Sequence, residues 1–237
     1  MGLGGGARFT WLGHATFLVE TPGQKVLLLD PWVESNPACP KNRKAFERLD
    51  ALLISHGHFD HMGDAVPLAA KHGCPTVSNY EVAHWLRSKG VANAVEMNKG
   101  GTVEVAGVKV TMVAADHSSG ISDGERIVYG GCAAGYVVTL ENGYRFYHAG
   151  DTNLFGDMRL IGETYKPDLA FLPIGGLYTM GPLEASHAVR LLGVKKVVPM
   201  HYGTFPPLAG TPKELRDLCA TARGVEVMEL KPGESLE

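Results

Sequence analysis

Every candidate metal ligand in this chain stands where an apolar, strand-like run gives out. Ala51 to Ile54 leads into His56-Gly57-His58-Phe59-Asp60-His61, Val110 to Ala114 precedes His117, Phe146 to Ala149 precedes Asp151, and Val197 to Met200 precedes His201. Strands that all deliver ligands must end on one edge of the fold, so the pattern constrains topology as well as chemistry. Neutral imidazoles with carboxylates suit Zn, Mn, Fe or Ni, whereas an all-oxygen set would favour Mg or Ca. Alternate residues of an extended loop point the same way. His56 and His58 can therefore reach one ion while Asp60 and His61, after the chain turns, reach a second. Two divalent ions per chain are expected, Zn first among them, with Mn, Ni or Fe as substitutes.

The 237 residues, 45% of them hydrophobic, can bury an ample core. Lys and Arg number 22 against 25 Asp and Glu, a formal charge of -3, so no general field draws the chain to nucleic acid. Cys39, Cys74, Cys132 and Cys219 form no C-x-x-C pair, which excludes a zinc ribbon or dithiol motif and fits reduced thiols of a cytoplasmic protein. The stretch Met1 to Ala7 is too glycine-rich for a signal-peptide core, and Gly6 departs from a myristoylation signal. No apolar run approaches membrane-spanning length.

Strand patterns cover Arg8 to Leu12, Ala15 to Glu20 and Lys25 to Asp30, with a turn at Thr21-Pro22-Gly23-Gln24. Helical stretches follow at Gly63 to His72 and Asn79 to Lys89, each stopped by a glycine. Strands return at Val103 to Val105, Val108 to Ala114, Ala134 to Leu140 and Tyr144 to His148, the last two joined by Asn142-Gly143, a strong hairpin signal. Then come a helix over Phe155 to Tyr165, a strand over Leu169 to Pro173, a helix over Pro182 to Leu192, a strand over Lys196 to Met200, a helix over Pro212 to Ala222 and a strand over Val225 to Leu230. Two runs of strands, each followed by helices, predict an α+β protein of two packed mixed sheets with helices on the outer faces, as one domain over 1–237.

These residues resemble the metallo-β-lactamase superfamily over nearly the whole chain. The resembling motifs are Asp30 in Leu29-Asp30-Pro31, the His56 to His61 element, His117, Asp151 in Gly150-Asp151-Thr152, and His201. The resemblance implies an αββα sandwich with a dinuclear site at one edge of its sheets. It assigns His56, His58 and His117 to one ion, and Asp60, His61 and His201 to the other. Asp151 would bridge, and Asp30 would orient the His-rich loop from behind. Trp11-Leu12-Gly13-His14-Ala15-Thr16-Phe17, Thr179-Met180-Gly181 and Met200-His201-Tyr202-Gly203-Thr204-Phe205-Pro206 are similar to a bacterial and archaeal branch of metal-dependent hydrolases. That branch is related to ascorbate-6-phosphate lactonase and, more distantly, to N-acyl phosphatidylethanolamine phospholipase D. His58 stands where flavodiiron proteins usually carry Glu, and the chain has no room for the inserted domain of RNA-cleaving β-CASP enzymes or the helical domain of glyoxalase II.

Two ions sharing a water can bring its pKa toward neutrality and present hydroxide while polarising a carbonyl or phosphoryl oxygen. The expectation is a hydrolase of a small ester, lactone or phosphodiester, with a small-molecule substrate. A nuclease or cyclic-nucleotide phosphodiesterase, and a non-enzymatic metal-binding sensor or scaffold, are the rival readings. Asp60 is the candidate for orienting the water and taking its proton, and His14 for protonating the leaving group. Tyr178, Tyr202 and Thr204 are candidate substrate contacts. His187 lies on a stripe with Leu183 and Leu191 and is expected to pack. His148 is expected to be structural, and His72 and His84 to lie on helix surfaces. The basic stretch Lys41 to Arg48 reads as a solvated loop, with a phosphate grip as its alternative. Nucleic-acid binding and membrane insertion are not expected; a homo-oligomer is compatible with the sequence.

Overall fold

The computed structural model describes residues 3–237; Met1 and Gly2, where the N-terminal reading begins, lie outside them. The chain opens with strands β1 (Arg8–Trp11), β2 (Phe17–Glu20), β3 (Val26–Leu29) and β4 (Ala51–Leu53), then helices α1 (Phe59–Met62) and α2 (Ala65–His72), β5 (Thr76–Asn79), α3 (Tyr80–Ser88) and β6 (Ala94–Met97). It continues with β7 (Thr102–Val105), β8 (Val108–Ala114), a hairpin of β9 (Gly120–Asp123) and β10 (Arg126–Tyr129), β11 (Ala134–Thr139) and β12 (Arg145–His148). The remainder alternates: α4 (Met158–Tyr165), β13 (Leu169–Pro173), α5 (Pro182–Leu192), β14 (Lys196–Met200), α6 (Pro212–Cys219), β15 (Glu226–Val227) and β16 (Ser235–Leu236).

These strands form two mixed seven-stranded sheets, ordered β16-β1-β2-β3-β4-β5-β6 and β15-β14-β13-β12-β11-β8-β7, with the β9-β10 hairpin apart. Antiparallel pairing holds within the meanders, as at Phe17↔Leu29 and Thr139↔Arg145, and gives way to parallel pairing once helices intervene, as at Phe146↔Leu169 and Phe171↔Val198. The switch is what chain connectivity demands, since a tight turn can only reverse a strand.

Alternation decides what each strand buries. Leu27 and Leu29 of β3, with Ala51 and Leu53 of β4, enter the core between the sheets. Leu28 and Leu52 face the opposite way, into a second core with Leu68 and Ala69 of α2 and Val82, Ala83 and Leu86 of α3. Each buried leucine contributes about 1.5–3 kcal/mol, so strands apolar on both faces are stable only as a middle layer. Rings from both sheets fill the central core, including Phe17 on Phe171 at 4.2 Å and Phe9 on Phe146 at 5.3 Å. No helix among the described residues is long and apolar enough to cross a membrane.

Most expected elements form, with shorter ends. The terminal strand contracts from Val225–Leu230 to Glu226–Val227, and the last helix stops at Cys219. The short polar strands β5, β6, β9, β10 and β16, and the single turn α1, have too few residues to show periodicity and escaped the sequence reading. His187 is a correction: α5 buries Ala185, Ala188, Val189 and Leu192, so the Leu183–His187 stripe falls on its outer side and both residues are exposed. His84 is exposed and His72 half-buried, as expected of helix-surface positions.

Candidate metal centre

The ligand candidates gather at one sheet edge because Asp30, His56, Asp151 and His201 each follow within a few residues of β3, β4, β12 and β14, while His117 follows β8. Gly150 allows the Asp151 loop to pass between the sheets: its φ is 60°, and a Cβ there would lie 2.7 Å from the Ser55 Cβ and 2.8 Å from the Ala134 carbonyl oxygen. Ligand atoms of His56, His58 and His117 lie within 4.8 Å of one another. So do those of Asp60, His61 and His201, joined by His14, and those of His56, His61 and Asp151. Asp151 Oδ2 is 3.2 Å from His61 Nε2, 3.0 Å from His201 Nε2 and 3.6 Å from His117 Nε2, so one carboxylate reaches both ends of the cluster.

A hydrogen-bonded chain behind the cluster sets how the ligands face it. The Ser55 N–H and hydroxyl donate to Asp30 Oδ1 and Oδ2 at 2.7 and 2.8 Å, and His61 Nδ1–H donates to Asp30 Oδ2 at 2.7 Å. With its proton on Asp30, the Ser55 oxygen accepts from His56 Nδ1–H at 2.9 Å. His56 and His61 are thereby left with Nε2 turned inward, the arrangement that a carboxylate behind a ligand histidine produces. Ser55 was not singled out by sequence, although its place beside His56 was visible. On the other flank Ser119 is buried, accepts from the Gly57 N–H at 3.0 Å and donates to the Gly130 carbonyl at 2.7 Å, tying the hairpin base to the His-rich loop. The Thr152 hydroxyl accepts from the Asp116 N–H at 3.0 Å and so links the His117 loop to the Asp151 loop.

His14 occupies an unexpected place. Its side chain has no exposed surface, and Nε2 lies 3.0 Å from Asp60 Oδ2 while Nδ1 lies 3.0 Å from the Thr204 hydroxyl. Burial, outweighing the Asp60 hydrogen bond, lowers its pKa to about 4, so the ring is neutral at pH 7 and its one N–H goes to the carboxylate. Burial would raise the Asp60 pKa, but the His14 hydrogen bond and the His61 charge bring it to about 2. Burial opposes charge on His61 as well, yet Asp151 and Asp30 hold its pKa well above the ordinary value. Asp151 is held well below the usual carboxylate range because His201 and His61 outweigh its burial. Burial lowers His56, His58 and His117, leaving lone pairs available.

His61 Nε2, Asp151 Oδ1 and both ring nitrogens of His201 are buried without an aligned hydrogen-bond partner. The 3.0 and 3.2 Å approaches of His201 and His61 to Asp151 are close enough for ion pairs but out of line for hydrogen bonds. An unsatisfied buried polar atom costs about 1–3 kcal/mol. Several such atoms converging, all of ligand type, fit divalent cations better than any arrangement of their own protons.

A cleft of about 630 Å³ opens above this cluster, with His58, Asp60, His117, Asp151 and His201 on its floor. Of the expected substrate contacts, Tyr178 lines it. Tyr202 instead stacks on Trp11 at 5.2 Å and its hydroxyl reaches the Leu230 carbonyl at 3.4 Å, while Thr204 faces His14. Neither is on the cleft wall, because the loop after His201 turns its apolar residues Phe205, Pro206 and Pro207 toward the opening. The basic stretch is absent from the wall too: Phe46 anchors it in the second core, Lys44 donates to the Glu34 carbonyl, and Arg48 pairs with Asp50 at 3.0 Å. His148 is fully buried, donating from Nε2 to the Ala15 carbonyl at 2.9 Å and accepting from the Gly150 N–H at 3.2 Å.

Two facing sheets with histidines and aspartates along one edge define a β-lactamase superfamily domain, and the model of that domain matches residues 25–202. Within the superfamily, the chain belongs to the UPF0173 metal-dependent hydrolase family. It is 52% identical over 230 residues to the member from Koribacter versatilis, covering 97% of each, and 49% identical to that from Methanopyrus kandleri, covering 97% of this chain and 99% of the other. Igni18, a metallo hydrolase from the archaeon Ignicoccus hospitalis, superposes with a TM-score of 0.85 at 34% identity, covering 97% of both chains. CmlA, a diiron β-hydroxylase from Streptomyces venezuelae, shares the fold at 15% identity and a TM-score of 0.76, covering 98% of this chain and 54% of its own. One fold thus serves different chemistries, and the substrate has to be argued from the site.

Proposed function

We propose that this hydrolase cleaves a small ester, lactone or phosphodiester with two divalent ions held at the sheet edge, zinc foremost. His56, His58 and His117 would hold one ion, Asp60, His61 and His201 the other, and Asp151 would touch both. Divalent ions there supply a water acidified toward neutrality and a Lewis acid for a carbonyl or phosphoryl oxygen. The observation that carries the reading is the convergence of unpartnered His61, Asp151 and His201 atoms, with Asp151 and His201 on the floor of an open cleft. Purely structural metal sites are closed by their protein ligands, whereas catalytic ones keep an open position, so the opening above these residues favours an enzyme over a scaffold.

The chain's own groups divide the remaining work. Asp60, 15% exposed on the floor and ionised, is placed to orient the attacking water and receive its proton at the oxygen that His14 does not hold. His14 is then a positioning residue: its N–H, aimed by the Thr204 hydroxyl, keeps Asp60 facing the cleft. Protonation of the leaving group directly by His14 is disfavoured by its complete burial. A nuclease reading is disfavoured by the lack of Lys or Arg on the cleft wall.

The test is metal content together with a chromogenic panel of phosphodiester, lactone, thioester and β-lactam substrates under Zn, Mn, Ni and Fe. Elemental analysis is expected to approach two ions per chain, with turnover of an ester, lactone or phosphodiester. Saturation at one ion, or turnover confined to the β-lactam, would overturn the reading.

A further inference from the structure

The floor of the cleft is charged and its walls are not. Phe59, Tyr178, Phe205 and Pro206-Pro207 face the opening, and the polar side chains among them are Ser118 and Ser122. None of the chain's 22 Lys and Arg residues lines it. The aromatic side is braced from behind: Trp32, itself buried, meets Phe59 edge-on at 5.8 Å and Phe205 at 5.9 Å. Tyr178 comes from a tight loop in which Gly176 N–H donates to the Met180 carbonyl at 3.0 Å and Tyr178 N–H to the Gly176 carbonyl at 2.6 Å. Leu177 in that loop holds a left-handed φ of 54°, and it and Tyr178 are left 72% and 59% exposed.

Resting on the hydrolase reading above, we infer that the uncleaved body of the substrate is uncharged and apolar. An apolar body gains by leaving water against these rings and prolines. A charged body would lose its hydration there and find hydroxyls but no cationic partner, whereas recognition of a phosphate or carboxylate calls for Arg, Lys or clustered N–H donors. A charge on the scissile group itself is a different matter, because that group meets the floor. The inference therefore selects against sugar phosphates, nucleotides and other polyanions, while leaving the ester or phosphodiester link open.

Matched substrates that differ only in the body test this on the metal-loaded enzyme. Methyl 4-phenylbutanoate is compared with methyl 4-sulfobutanoate, and methyl 3-phenylpropyl phosphate with methyl 3-sulfopropyl phosphate; the sulfonate supplies charge but ligates metals weakly. The phenyl member of whichever pair is cleaved is expected to have about tenfold or higher kcat/KM. Equal rates, or a preference for the sulfonate, would overturn the inference. Tyr178→Ala with Phe205→Ala should shrink the preference to within about threefold, and Ser122→Arg should raise kcat/KM for the sulfonate member. A preference unchanged in these variants would also overturn it. If neither pair is cleaved, the ester and phosphodiester reading fails separately, and the wall is judged by calorimetric binding to the same protein. There 4-phenylbutanamide must bind about tenfold more tightly than 4-sulfobutanamide for the inference to stand.

Discussion

Three residues of the centre hold backbone angles that L-residues seldom adopt: His14 at φ 58°, Asp30 at 47° and His201 at 55°. Such conformations cost about 1–3 kcal/mol each and persist only where the surroundings over-determine them. Here the His201 N–H and the Trp11 indole both donate to the His14 carbonyl, each at 2.9 Å, while the Asp30 carboxylate is held by Ser55 and His61. If His14 acts by holding Asp60, His14→Ala should lower turnover by about 10- to 100-fold, the usual range for a group that orients a ligand. The factor should be the same for nitrophenyl and alkyl esters. A loss that grows with the alkyl leaving group would return the leaving-group proton to His14. Asp151→Ala should abolish turnover and lower metal content at both positions, with the circular dichroism spectrum retained because both cores are apolar. An Asp151→Ala protein with full metal content and activity would remove Asp151 from the centre.

The elements carry the site by meeting at close quarters, and α4 against α5 is a tight case. A Cβ on Gly162 would lie 2.2 Å from the Leu192 carbonyl oxygen and 2.6 Å from its carbon, both backbone atoms that cannot step aside. Gly162→Val should therefore cost about 1–3 kcal/mol or more through overpacking and the separation of the two helices. Thermal unfolding should show a lower midpoint, while kcat of the folded fraction at low temperature stays near the parent value because α4 supplies no cleft residue. An unchanged midpoint would contradict the close α4–α5 contact at Gly162. The β9-β10 hairpin meets the His-rich loop through two kinds of contact, the buried Ser119 hydroxyl bonded to Gly57 and Gly130, and Ile121, which lies against Gly57 and is buried in the second core.

At the scale of the whole molecule, the buried imidazoles couple stability to pH. In the metal-free protein His14, His56, His58, His117 and His148 all have pKa values below the ordinary 6.5, each chiefly through burial. Around and below pH 6.5 the unfolded chain binds more protons at these positions than the folded chain does, so their stabilisation is complete above 6.5 and is lost as pH falls through the lower folded values. His61 works in the opposite sense, but its contribution is already complete below 6.5 and adds no slope there. Denaturant titrations in chelator should therefore show stability falling from pH 7 toward pH 5. Bound divalent ions should raise the midpoint at each pH, and more at pH 7 than at pH 5, since ligation and protonation compete for the same nitrogens. A flat profile in chelator would contradict the burial of these rings.

Strand runs such as Leu169–Pro173 and Lys196–Met200 were readable to the residue, and so was the clustering of ligand types at strand ends. Both are local quantities: periodicity over a handful of residues, and the side chain that follows. The resemblance carried by those same residues extended the reading to a two-sheet sandwich. Other features depend on contacts between distant parts of the chain. His14 and Thr204 meet across 190 positions and His14 and Asp60 across 46, and no spacing rule reaches that far. For this reason His14 looked like a free acid in a glycine turn until packing buried it behind Asp60. The cleft wall joins Phe59 at the start of α1 with Tyr178 and Phe205 from two separate loops, and Trp32 stands behind two of them. Loop residues carry no periodic signal, so which of them turn toward the opening is set by the sheets that bring the loops together.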